Sequence, residues 1–147
     1  MRTDINTSID IQKTTKSNIS QIDFSNLSFG NVFTDHMLEC DFKDGQWQTV
    51  QIRPYGPISL DPSAKVFHYG QAIFEGMKAY KGEDDSIWLF RPEENHARLN
   101  KSAVRLAIPE FPKELFFDGL ETLLNLDKDW IQKEEGSSLY IRPFVIA

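Results

Sequence analysis

The hydrophobic period of the chain changes along its length, and each change predicts a different element. From Val32 to Tyr55 apolar and polar residues alternate. HMLECDF and QWQTVQIRPY read as two strands, and the KDGQ between them carries the Asp-Gly signal of a hairpin turn. GPISLDPSAK follows as a Pro/Gly/Ser connection, and GMKAYKG with SIWLFRP predicts a second hairpin around Glu83–Asp85. The spacing then turns helical. Pro92 suits a first turn, Glu93 and Glu94 favour its positive end, and Lys101 and Arg105 fall in later turns. Leu99, Ala103 and Leu106 form an apolar stripe, and Pro109 stops the helix. Pro112 opens a second helix whose Leu115, Phe116, Leu120, Leu123 and Leu124 face a core, with Gly119 pointing to a close backbone approach. After Gly136, Ser138 to Ala147 is apolar and β-branched and reads as one more strand.

The order β-β-β-β-α-α-β predicts the α+β class, a mostly antiparallel sheet with two helices packed on one side. Residues 1–28 are polar and weakly periodic and read as a loose N-terminal arm with room for one short ordered piece. The rest, residues 29–147, reads as a single small domain, the usual size for one hydrophobic core. No internal repeat is visible.

Composition narrows the function. No apolar run reaches eighteen residues and the N-terminus lacks the basic-then-apolar pattern of a signal peptide, so the chain is expected to be cytoplasmic and free of membrane. The single cysteine, Cys40, allows no internal disulfide and reads as a packing residue. A net charge of −6 with no basic stripe argues against nucleic acid. A small anionic ligand would have to be held by a few local arginines.

Two arginines stand out. On composition alone Arg98, two turns into the first helix, reads as a solvated residue paired with Glu94. The alternative is a guanidinium fork held for a phosphate. Arg142 lies between Ile141 and Pro143 in an apolar strand, where a charge needs a buried partner or a ligand. Ligand binding is placed ahead of an edge-strand position. The glycines of His68-Tyr69-Gly70 and Phe74-Glu75-Gly76 allow tight turns that expose Tyr69 and Phe74, unless those aromatics simply pack. His36, His68 and His96 match no metal-binding spacing, and no nucleophile elbow, P-loop or dinucleotide fingerprint occurs.

FGNVFTDHML, HYGQAIFEGMKAYKG, LFRPEENHARLNKSA and LDKDW…GSSLYIRPF, taken in order and spacing, resemble the N-terminal domain of branched-chain amino acid aminotransferases, pyridoxal-phosphate enzymes of fold type IV. The resemblance runs from Phe29 to Ala147. It implies transamination of leucine, isoleucine or valine with 2-oxoglutarate in a cytoplasmic homodimer of amino-acid biosynthesis. It also implies that Arg98 binds the cofactor phosphate and that Phe29, Phe74 and Tyr140 wall the pocket for the branched side chain. Tyr69 would reach into the neighbouring subunit's site, and Arg142 would receive the distal carboxylate of glutamate. The Schiff-base lysine belongs to a C-terminal domain that the resemblance places outside this chain, Lys78 being the nearest substitute, so the chain alone is expected to be inactive. The rivals are a type IV enzyme with another substrate and a non-catalytic domain that binds a small anion or a partner.

Overall fold

The structure, a computed structural model, describes residues 8–147; the first seven residues of the predicted arm lie outside the described residues. In chain order the elements are β1 (Ile9–Ile11), β2 (His36–Glu39), β3 (Phe42–Lys43), β4 (Gln46–Trp47), β5 (Val50–Pro54) and a short helix α1 (Lys65–Tyr69). They continue with β6 (Ala72–Phe74), β7 (Met77–Lys81), β8 (Ile87–Leu89), α2 (Pro92–Arg105), α3 (Lys113–Leu126), β9 (Leu139–Ile141) and β10 (Phe144–Ile146). Pairing is antiparallel except where β1 runs parallel to β5. This is the α+β class that the pattern predicts, with the strands among the described residues shared among four small sheets. The described residues divide into two compact units, one reaching to Pro57 and taking in Glu114–Trp130, the other formed by Ile58–Lys113 and Ile131–Ala147.

In the first unit the predicted hairpin forms. Asp44 and Gly45 both take positive φ, 53° and 79°, as the tightest hairpin turns require, and Phe42 pairs with Trp47 across them. The ladder lapses around Cys40 and Gln48 and resumes with Glu39 opposite Gln51. From residues 8–28 come β1, on the other edge of β5, and Phe24, whose ring lies edge-on to Trp130 at 6.2 Å. Val50 and Ile52, alternate residues of the central strand, are fully buried. Helix α3 buries Leu115, Phe116, Leu120 and Leu124, while Leu123 is half-buried. It meets the sheet at Gly119, where a Cβ would stand 2.5 Å from Leu38 Cδ1 and 3.4 Å from Val50 Cγ1. The Leu38 and Val50 side chains thus pack directly against the helix backbone, in the space that a side chain at 119 would fill.

A polar group closes this unit. Asp127, just past α3, accepts from the His36 backbone N–H at 3.0 Å and from its Nδ1 at 2.6 Å, with both side chains under a tenth exposed. The Thr14 N–H donates to His36 Nε2 at 2.9 Å, so Nε2 is the acceptor and the ring proton sits on Nδ1, facing Asp127.

The second unit holds a three-stranded sheet in the order β8-β7-β9 and a two-stranded sheet of β10 and β6. The predicted second hairpin pairs Tyr80 with Trp88. The single C-terminal strand read from the sequence is two. Tyr140 on β9 pairs with Lys78 on β7, whereas Phe144 on β10 pairs with Phe74 on β6. The break falls at Arg142-Pro143, because proline has no N–H to continue a ladder. Arg142 therefore lies outside a strand and is exposed, a correction to its predicted setting. Helix α2 starts with Pro92 at its first position and buries Asn95, Leu99 and Ala103, one per turn. Leu106, expected on that stripe, falls just past the helix end and is 39% exposed. The side chain of Asn100 fixes the connection to α3, accepting from the Phe111 N–H at 2.9 Å and donating to its carbonyl at 3.0 Å. No helix among the described residues is long and apolar enough to cross a membrane.

Candidate functional site

Arg98 stands on the outer face of α2 with a side chain 59% exposed. Its partner is Glu75 and not the predicted Glu94, which pairs with Arg91 at 3.4 Å. Arg98 Nε and Nη2 donate side-on to Glu75 Oε1 and Oε2, each at 2.9 Å. A second donor comes from Asn95, one turn earlier and buried, whose Nδ2 reaches Glu75 Oε2 at 2.7 Å and the Gly76 carbonyl at 3.0 Å. The Gly76 N–H approaches the same carboxylate oxygen at 3.3 Å. The hydrogen bonds from Arg98 hold the Glu75 carboxyl below its ordinary value of 4.5; burial opposes this, and Asn95 and Gly76 assist. The carboxylate raises the already high value of Arg98, so the guanidinium stays charged. A side-on pair uses two of the five guanidinium N–H groups and leaves the opposite edge uncommitted. A cavity of about 350 Å³ opens beside it, lined by Gly76, Lys78, Tyr80, Arg91 and Asn95 along with Arg98.

The residue before Glu75 serves the other arginine. Arg142 lays its guanidinium over the Phe74 ring at 4.5 Å and over the Tyr140 ring at 5.2 Å, and its Nε donates to the Tyr140 hydroxyl at 3.1 Å. Cation–π contact on two rings holds a charge in place without neutralising it. Tyr140 can lie there because residue 76 is glycine: a Cβ at that position would fall 2.4 Å from the tyrosine hydroxyl. The Glu75 N–H donates to the Pro143 carbonyl at 2.9 Å, tying the two crossing segments together. Residues 74–76 thus carry contacts to Arg98, Arg142 and Tyr140 at once. Phe74, 64% exposed, also lines a largely apolar groove of about 680 Å³ with Ile73, Val104 and Leu106.

The remaining candidates differ in their settings. Tyr69 ends α1 with 81% of its surface exposed. Phe29 belongs to the first unit and is 77% exposed. Lys78 is an exposed residue of β7. Burial, with the Asp41 charge adding to it, pushes the Cys40 thiol up to about 11, and its Sγ donates to the Gln48 carbonyl at 3.2 Å, which suits a packing residue and not a nucleophile. Sequence reasoning missed Glu75 and Asn95. Asn95 gives one signal, a polar residue four positions before Leu99 on the apolar stripe, and such a residue needs a buried partner.

The sequence has close relatives. It is 56% identical over 126 residues to branched-chain-amino-acid aminotransferase 2 of Bacillus subtilis and 52% identical over 126 residues to branched-chain-amino-acid transaminase 1 of the same organism. The branched-chain-amino-acid aminotransferase of Mycolicibacterium smegmatis is 55% identical over 125 residues. Each match takes in 84–85% of this chain and 34–35% of the relative, so the chain spans about a third of the length of the curated relatives it matches. No family model matches the chain. The resemblance read from the four motifs is therefore a sequence match over most of the chain.

Proposed function

We propose that this chain is the part of a pyridoxal-phosphate-dependent branched-chain aminotransferase that grips the cofactor phosphate and covers the substrate. The whole enzyme would pass an amino group from leucine, isoleucine or valine to 2-oxoglutarate, as a cytoplasmic homodimer. Supporting this are the named relatives and one structural observation that carries the reading: an arginine held charged against two aromatic rings. One pocket must accept apolar branched chains and the carboxylate of glutamate in turn. Phe74 and Tyr140 would supply apolar walls, and Arg142 the charge.

The residues present fit the cofactor's phosphate. Arg98 is exposed, permanently charged and aimed by a carboxylate that occupies only one of its edges. The bound cofactor supplies the electron sink for reaction at the α-carbon. The chain's own part is binding and orientation. Arg98 would fix the phosphate end, the rings would exclude water from the side chain, and Tyr69 would extend into the neighbouring subunit's site. No residue of this chain is assigned the covalent lysine.

The test is Arg142→Leu in the full-length enzyme carrying this segment, with each half-reaction followed as a single turnover by cofactor absorbance. The glutamate half-reaction should fall by about a hundredfold, because a desolvated carboxylate loses its charged partner, while the leucine half-reaction loses little. Equal losses would show that Arg142 supports the site without reading the substrate.

A further inference from the structure

We infer that Glu75 is the positioning residue for the phosphate-binding arginine, aiming the free edge of Arg98 from a carboxylate itself anchored by Asn95. The inference rests on the proposed role of Arg98. An exposed arginine on a helix ordinarily samples many rotamers, and ordering it for a ligand carries an entropic cost at every binding event. Here that cost is met in advance. Both carboxylate oxygens of Glu75 engage the guanidinium, and Glu75 cannot swing, because Asn95 and the Gly76 N–H hold one oxygen and its backbone N–H is bound to Pro143. Glu75 is mostly buried, with 13% of its side chain exposed, so the pair has a fixed inner member and a presented outer member.

A carboxylate beside a phosphate site also repels the phosphate, and this gives the inference a distinctive sign. If Glu75 were only a nearby negative charge, removing it would tighten phosphate binding. If it aims Arg98, removing its charge should weaken binding even though the site becomes less negative. Its backbone bond to Pro143 ties the same residue to the turn that bears Arg142, so the aim of both arginines depends on one crossing of the chain.

The experiment measures the rate of pyridoxal phosphate loss during dialysis, by absorbance, in the full-length enzyme carrying this segment. Glu75→Gln should lose cofactor roughly tenfold faster, as expected from misaiming one charge-assisted contact, with an intermediate rate for Glu75→Asp. Asp keeps the charge and shortens the reach, so it also serves if the Gln variant does not fold. Arg98→Met, measured alongside, should lose cofactor at least as fast as Glu75→Gln. Retention unchanged or tightened in Glu75→Gln, with rapid loss in Arg98→Met, would overturn the positioning role and leave the phosphate contact standing. Unchanged retention in Arg98→Met would overturn both.

Discussion

Each unit joins a carboxylate to a nitrogenous side chain far away in sequence, and the two pairs are built to opposite ends. In the first unit, both Asp127 oxygens and both His36 ring nitrogens are engaged, under a surface that leaves almost nothing exposed. A polar network satisfied in this way fixes a core and has nothing left to offer a ligand. In the second unit only the inner partner is used up. Glu75 is anchored on every side, whereas Arg98 keeps one edge of its guanidinium in solvent. Closure holds a fold together. Partial closure aims a charge.

The comparison breaks most easily at its buried end. Asp127→Ala strands the His36 N–H and Nδ1–H without acceptors, so unfolding free energy should fall by about 3–5 kcal/mol, measured by urea denaturation. Arg98→Met in the same chain should move the midpoint far less; equal losses would erase the distinction. Next in size is Gly76→Ala. The added methyl overlaps the Tyr140 ring and should destabilise by about 1–3 kcal/mol. Tyrosine and arginine side-chain resonances should show Tyr140 and Arg142 displaced together, and an undisturbed Arg142 would mean that Tyr140 does not place it. The smallest effect is a pH dependence. Since the Glu75 carboxyl lies below its ordinary value of 4.5 in the folded chain, its contribution is fully present above pH 4.5 and is lost as pH falls through the lowered value. The difference in thermal midpoint between wild type and Glu75→Gln should hold steady down to about pH 4.5 and shrink below it. A difference that grows on acidification would contradict the pairing.

Much of this was legible in the sequence, and what was not has physical reasons. Asp44-Gly45, Pro92, Pro109 and Gly119 act locally, through φ, a missing N–H or a missing side chain, so their effects could be read where they stand. Pro143 carried an equally local signal, and weighing it would have split the last strand and freed Arg142 from it. Leu106 followed the helical period but fell just beyond the helix, where the period no longer applies. Arg98 shows the limit of local rules. Glu94 sits at the favoured helical spacing, yet the helix neighbour yields to Glu75, a partner 23 residues away that brings two bonds and its own anchors. Nothing near Glu75 in the sequence announces that it will meet α2. Only the fold brings Asn95 and Arg98 to it.

The central claim is that one pair is open to an anion and the other is sealed, and both can be watched in one experiment on this chain. Nitrogen-15 spectra of the arginine and histidine side chains, recorded while pyridoxal phosphate is added, report each nitrogen separately. The guanidinium resonances of Arg98 should shift and saturate, while His36 and the Thr14 amide stay where they are. An Arg98 that does not respond, or a His36 that moves in step with it, would contradict the account.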